Sequence, residues 1–388
     1  MLERKIGEKL CWGVGMGNLL RPAFFISTYT MTTTYKILAI NPGSTSTKVA
    51  VFENDKELFS TTLRHSSEEI GRYKTILDQL DFRREVILEA VKASGVALGD
   101  LDAVIGRGGL LKPIPSGTYE VNAQMIEDIR LRPAGQHASN LGALLAAEIA
   151  QLAGVKAYIA DPVVVDELQA EARLTGLPQI KRESIFHALN QKAVARVYAD
   201  SIGRPYEELN LVVAHLGGGI SVGAHRKGLV VDVNNALDGE GPFSPERAGT
   251  MPAKAFAELC FSGKYTLTEV SKMLSGKGGI VAHLGSNDTR EVGARAEAGD
   301  KEAKLVMDSM AYGVGKTIGS MLAVLKGDVD AVILTGGIAY SAYVVGYIKS
   351  MIEPLAKVVV MPGENELEAL AMNAQRVLEG KLTPKVYE

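Results

Sequence analysis

Leu38–Phe52 reads LAINPGSTSTKVAVF, and Leu211–His225 reads LVVAHLGGGISVGAH. Each stretch runs an apolar strand into a turn rich in Gly, Ser or Thr and returns along a second apolar strand; the two lie about 170 residues apart. Turns of this composition leave backbone N–H groups and hydroxyls unobstructed, as a phosphate chain requires. Three consecutive glycines between apolar strands, Gly217, Gly218 and Gly219, cost backbone entropy and so predict a close approach at that turn. Two such turns predict two halves gripping one nucleotide.

Outward from the first turn, the pattern from Tyr35 predicts a meander over Lys36–Asn41, Thr47–Phe52 and Glu57–Arg64. A helix follows at Phe82–Ser94, a strand at Leu101–Gly106, a helix at Asn140–Ala153 and a strand at Val155–Ala160. Around the second turn a helix from about Ser184 to Ser201 precedes strands Asn210–His215, Ile220–His225 and Leu229–Val233. Several helices run to about Leu325, then strand Asp330–Thr335, helix Ser341–Met351, strand Lys357–Met361 and helix Glu366–Leu378. Each half is a meander followed by helix-separated parallel strands, which predicts an α/β layer architecture used twice. Gly313, Gly315 and Gly319 share one helical stretch, where glycine is costly without a close neighbour, and are expected at an interdomain contact near a hinge.

Composition bounds the function. With 388 residues, 46% of them hydrophobic and 22% charged, the chain can bury two separate cores. Its net charge is −3, and Lys and Arg are dispersed among Asp and Glu, so no nucleic-acid partner is expected. Cys11 and Cys260 stand far apart and form no metal or disulfide pattern, which makes the cytoplasm the expected location. No apolar run approaches the roughly 18 residues needed to cross a bilayer. Residues 1–34 have neither a clean apolar core nor a small-residue cleavage site, and are expected to be an N-terminal extension, a loose tail or the product of an upstream start codon.

NPGSTSTK at Asn41–Lys48, AHLGGGISVGA at Ala214–Ala224 and TGGIA at Thr335–Ala339 resemble the two phosphate motifs and the adenosine motif of the acetate and sugar kinase, heat-shock 70 and actin superfamily. Within it, the chain from Tyr35 is similar to the acetokinase family. GRGGLLKPIPSGTYEVN at Gly106–Asn122, RPAGQHASNLGA at Arg132–Ala143 and NALDGEGPFSPERAGTMP at Asn235–Pro252 resemble its butyrate-kinase branch. The resemblance implies two actin-like (ribonuclease H-like) domains, each a mixed sheet with flanking helices and with the active site in the cleft between them. The expected boundaries are 35–165 plus 366–388 for the first domain and 166–365 for the second. It implies direct transfer of the ATP γ-phosphoryl to the carboxylate of a short-chain fatty acid, butyrate first, with Mg²⁺ as cofactor and a homodimer or higher homo-oligomer as the assembly.

The chemistry of that reaction selects residues. A carboxylic acid with a pKa near about 4.3 is already ionised at neutral pH, so the site needs cations and preorganised donors rather than a base. Arg107 closes a strand in GRGG, where an open α/β sheet places ligand-binding groups and where the flanking glycines are expected to allow close approach of the ligand. Arg247 lies in a Pro- and Gly-punctuated loop, SPERAGTMP, able to lie over the cleft. By resemblance, His187 stabilises the transferring phosphoryl group, His215 opens the second phosphate turn, and both are expected to donate hydrogen bonds; Asp161 orients the site or the metal's water shell. Glu366, or Glu364 one turn-step earlier, is the expected metal carboxylate. Asn41, Ser44, Ser46 and Lys48 are expected on the phosphates from one side and Gly217, Gly218 and Gly219 from the other. Gly336, Gly337, Asp288 and Arg290 are expected beside the adenosine. His65, His137, His225 and His283 read as structural.

Within the class, acetate, propionate or branched acids such as isobutyrate are the alternatives, since one methylene changes binding by only about 1–3 kcal/mol. A sugar kinase would need an aspartate base, for which Asp161 is the candidate. A chaperone-like ATPase lacks a following peptide-binding segment here, and a repressor lacks a helix-turn-helix pattern before Met31.

Overall fold

The computed structural model describes residues 33–131 and 137–388. The N-terminal extension up to residue 32 and residues 132–136 of the RPAGQH motif lie outside the described residues.

Residues 35–388 form one compact unit built on two sheets of the same order. In the first, β1 (Lys36–Pro42), β2 (Ser46–Glu53) and β3 (Lys56–Arg64) form an antiparallel meander. β1 then pairs in parallel with β4 (Ala103–Arg107), and β4 with β6 (Lys156–Ala160). A short β5 (Thr118–Glu120) adds an antiparallel edge to β6. In the second sheet, β7 (Asn210–Leu216), β8 (Ile220–Arg226) and β9 (Leu229–Val233) repeat the meander, and β10 (Ala331–Thr335) and β11 (Val358–Val360) extend β7 in parallel. The orders β3-β2-β1-β4-β6-β5 and β9-β8-β7-β10-β11 thus share one plan, the mixed sheet of an actin-like fold, with one strand added to the first.

Continuous apolar runs place β1 and β7 at the centre, because a strand covered on both faces has no polar side to present. Six of seven residues of β1 and all seven of β7 are buried. β3 alternates between half-buried and exposed positions, as an edge strand facing water on one side does. One face of the first sheet packs Leu38, Ile40, Val49 and Val51 against helices Leu80–Ala93 and Asn140–Ala153. Its other face packs Ile37, Ala39, Ala50 and Phe52 against helix Glu366–Leu378, which returns from the second sheet. The second sheet buries Val212, Ala214 and Leu216 against helices Lys301–Val324 and Ala342–Ile352.

Helix Ala188–Ser201 serves both sheets: Leu189 joins the core of the first, while Val194, Ala195 and Tyr198 join that of the second. It starts at Ala188 rather than near Ser184 because the preceding residues are held extended. Ser184 Oγ donates to Val165 O at 2.7 Å and Phe186 N to Val163 O at 3.1 Å. The glycines of helix Lys301–Val324 differ in what they face, and a Cβ on Gly313 would come within 3.2 Å of Pro242 Cβ. A Cβ on Gly315 would come within 2.5 Å of Met351 Sδ, so that glycine admits the neighbouring helix of the same sheet, and Gly319 faces open space.

Candidate active site

The carboxyl ends of β1, β4 and β7 and the first turns after them gather the polar groups. Arg107 ends β4, and its Nη1 lies 3.2 Å from Glu366 Oε2 and 3.5 Å from Asn41 Oδ1. Asn41 Nδ2 donates to the same Glu366 oxygen, joining the end of β1 to the returning helix. Arg107 and Arg247, with His137 and His187, line a small cavity of about 60 Å³ whose remaining wall is Leu110, Val163, Ile185, Phe186, Ala236 and Leu237. The lining thus combines two cations and two histidines with aliphatic and aromatic side chains.

Glycines explain how these groups come so close. A Cβ on Gly219 would fall 1.8 Å from Arg247 Nη1, so the guanidinium occupies the space that a side chain there would fill. Arg247 also donates to Ala236 O. The close approach at this turn is therefore made by Arg247. The glycines of GRGG likewise admit the protein rather than a ligand: a Cβ on Gly106 would meet Gly142 O at 2.1 Å, on Gly108 Pro162 Cβ at 2.5 Å, and on Gly109 Asn140 Oδ1 at 2.4 Å. Gly106 and Gly109 seat the end of β4 against the start of helix Asn140–Ala153, and Gly108 seats it against Pro162.

His137, His187 and His215 are held neutral. His187 and His215 stack with ring centroids 3.8 Å apart and planes 10° from parallel. Burial first, then the field of Arg107 and Arg247, pushes His215 down to about 3. The same two causes push His137 down to about 4. His187 falls well below the usual imidazole range through burial, with His215 and the two arginines adding to it. Arg247 is itself lowered, mainly by burial. His215 donates within the protein, through Nδ1. Asn190 Nδ2 donates to Glu364 O at 3.1 Å, which leaves its Oδ1, 2.7 Å from His215 Nδ1, to accept from the ring. The neutral ring then has a bare Nε2, and this faces Glu364 Oε1 at 3.6 Å.

Glu364 is raised above the ordinary carboxylate range by burial and by Glu366, with Lys48 and Arg107 opposing. Among the described residues no three His, Cys, Asp or Glu side chains form a metal cluster. The pair Glu364 and Glu366 nevertheless suits Mg²⁺, which takes few protein carboxylates and would relieve their mutual repulsion. Both line a cavity of about 570 Å³ together with Lys48.

A larger cavity of about 690 Å³ brings together Gly217, Gly218, Arg290, Gly337 and Glu364, with Tyr340 and Tyr343 on its wall. Gly336 sits at φ +87° against Leu216 O, which closes the adenosine-motif turn onto β7. Asp288 contributes indirectly: it caps helix Thr289–Glu297 and forks onto Arg290 at 2.7 and 3.0 Å. Asp161 does not join the cavity group. Its carboxylate accepts from Ser116 Oγ at 2.6 Å, Gly117 N at 2.8 Å and Arg196 Nη1 at 3.2 Å, so its position just past β6 serves to tie a loop to helix Ala188–Ser201.

The acetokinase family profile matches residues 124–369. A probable butyrate kinase of Clostridium botulinum is 55% identical over 353 residues, spanning 91% of this chain and 99% of that protein. Butyrate kinase 2 of Clostridium acetobutylicum is 53% identical over 354 residues, with the same two coverages. The chain belongs to the acetokinase family. The fold of this acetokinase-family chain is also that of Porphyromonas gingivalis acetate kinase, with a TM-score of 0.72 at 20% identity over 89% of this chain and 99% of the other.

Within this acetokinase-family site, two residues escaped the reading of the sequence. His137 read as structural, yet it lines the small cavity beside both arginines. Ser139 N donates to its Nδ1 at 3.2 Å, which leaves the proton of the neutral ring on Nε2. Arg83 supports the first phosphate turn from beneath. Fully buried, it donates to Gly43 O, Ser44 O and Ser46 O at 2.8–3.1 Å and to Thr47 Oγ1 at 3.0 Å. With these carbonyls drawn inward, the turn carrying Ser44 and Ser46 has a cation behind it. The signal was present: Arg83, Ile87 and Val91 share one face of the helix, an arginine in an otherwise apolar stripe.

Proposed function

We propose that this chain transfers the γ-phosphoryl group of ATP to the carboxylate of butyrate, giving butyryl phosphate and ADP. The observation that carries this reading is the small cavity lined by both arginines and by aliphatic and aromatic side chains. An ionised carboxylate would face Arg107 and Arg247, and its short alkyl tail would lie against Leu110, Val163, Phe186 and Leu237. The neutral histidines fit an acceptor that needs no base. They serve as fixed donors around developing charge, as His187 and His137 can through Nε2–H. The names of the relatives, at 53–55% identity across nearly their full length, support butyrate over acetate or propionate.

In this reading the adenosine occupies the larger cavity beside Gly337 and Arg290, and the phosphates lie between the Ser44–Ser46 turn with Asn41 and Lys48 and the Gly217–Gly219 turn. Glu364 and Glu366 would hold Mg²⁺, which neutralises phosphate charge. The donor and acceptor would meet in a cleft between a first lobe of 35–165 with 366–388 and a second of 166–365, and closure of the lobes would exclude water. A cytoplasmic location belongs to the same reading, as does a homodimer or higher homo-oligomer, which rests on the family resemblance. No helix among the described residues is long and apolar enough to cross a membrane. A sugar kinase is disfavoured because its only candidate base, Asp161, is committed to Arg196 and the Ser116–Gly117 loop.

An acyl-hydroxamate assay with MgATP and straight and branched C2 to C6 acids tests the proposal. Turnover should peak at C4, falling roughly 5- to 150-fold per methylene removed or added. Absence of product with every acid would refute it, and a maximum at C2 would restrict it to the acetate alternative.

A further inference from the structure

A chain of buried polar side chains runs from His187 away from the cavity, through the interior of the second sheet. His187 Nδ1 lies 2.8 Å from Ser221 Oγ, and Ser221 Oγ lies 2.9 Å from Gln191 Nε2. Gln191 Oε1 lies 2.9 Å from His225 Nε2, and His225 Nδ1 lies 2.7 Å from Tyr206 Oη. Gln191, Ser221 and His225 are fully buried and Tyr206 nearly so. Such a path costs stability relative to an apolar core unless every member is satisfied.

The directions of these hydrogen bonds follow from one backbone group. Ser221 O is a carbonyl and can only accept, and Gln191 Nε2 reaches it at 3.0 Å. That fixes the amide of Gln191, whose NH₂ end faces Ser221 and whose oxygen faces His225. His225 Nε2 must then donate, and its neutral ring accepts at Nδ1 from the Tyr206 hydroxyl. Ser221 Oγ receives the Gln191 amide proton and also the backbone N–H of His187 at 3.4 Å. Its own proton is left for His187 Nδ1.

We propose that Ser221, Gln191, His225 and Tyr206 are positioning residues that hold His187 as its Nε2–H tautomer, so that it presents a donor, never a lone pair, to the transferring phosphoryl group. The ring needs this constraint because both tautomers of a neutral imidazole are accessible, and the wrong one would turn a lone pair toward an anion. A separate observation points the same way. Gly223 sits within β8, where glycine weakens a strand, and a Cβ there would fall 2.6 Å from Gln191 Oε1 and 3.3 Å from His225 Nε2. The glycine keeps the passage open for the relay.

The inference rests on the phosphoryl-transfer reading for its role but not for its test. In ¹⁵N-histidine-labelled wild-type protein, long-range ¹H–¹⁵N correlation should show His187 with Nδ1 unprotonated and Nε2 protonated, its signals assigned by their loss in His187→Gln. An Nδ1–H ring would overturn the proposal whatever the Gln191 and Gly223 variants do. In kinetics, Gln191→Leu and Gly223→Ala should each lower kcat roughly 10- to 100-fold, leaving KM for MgATP and for butyrate within about twofold. Placed on His187→Gln, whose amide can donate without a tautomer to fix, the same changes should cost nothing further. An equal loss in both backgrounds would mean a structural role only and would overturn it. Failure of the wild type to form any acyl phosphate would instead refute the phosphoryl-transfer reading, while the tautomer spectrum would still decide this one.

Discussion

Arg107 and Arg247 both line one small cavity whose lining residues include no carboxylate, and although Glu366 pairs with Arg107 from outside that lining, two cations there favour an anionic ligand. Arg107→Ala should lower kcat/KM for the acid by roughly 10²–10³, the usual cost of removing one preorganised group from around a transferring centre; steady-state assay of the purified variant checks this. The depressed histidines predict a stability effect of definite sign. His215 at about 3 and His137 at about 4 stay neutral in the folded chain, whereas unfolded histidine titrates near about 6.5. Below that value the unfolded state binds more protons, so stability should fall as pH drops from about 6.5 toward 3 and level off below the folded values. Urea unfolding at pH 7.5 and 5 reads it, and equal midpoints would contradict it. The arginines were legible because GRGG and SPERAGTMP flank them with turn residues. His137 was not, because its membership of the site comes from packing beside residues far along the chain.

The turns and strand ends differ in what their glycines face, and this sets different outcomes for the same substitution. Gly219→Ala places a Cβ against the far end of a side chain, so Arg247 can swing aside. Activity should fall while the thermal midpoint moves little. Gly106→Ala places a Cβ 2.1 Å from a backbone oxygen in helix Asn140–Ala153, which cannot step away. It should destabilise by about 1–3 kcal/mol or more, read by thermal or urea unfolding. Helices Asn140–Ala153 and Glu366–Leu378 and strand Leu229–Val233 follow directly from periodicity and end residues. Strand Thr118–Glu120 does not: three residues carry no period, and its pairing depends on β6 some 40 residues later. The late start of helix Ala188–Ser201 was hidden for a similar reason, since its preceding residues are held by Val163 and Val165.

The two sheets repeat one order, and the paired turns that open them were the most legible feature of the chain. They say little by themselves about the acceptor, because any nucleotide-cleaving relative with this architecture must cradle phosphates. In the proposed reading the acceptor is specified by what the first sheet adds at the end of β4 and the second at the loop over Gly219. Asp161 stands at the expected strand end, where its carboxylate holds a loop to helix Ala188–Ser201. The decisive measurement follows the phosphorus atom itself. Incubated with MgATP and butyrate, the protein should convert the γ-phosphate signal in the ³¹P NMR spectrum into that of an acyl phosphate, one for each ADP formed. ADP accompanied only by inorganic phosphate, or a phosphate ester formed from glucose or glycerol with no acyl phosphate, would contradict the assignment.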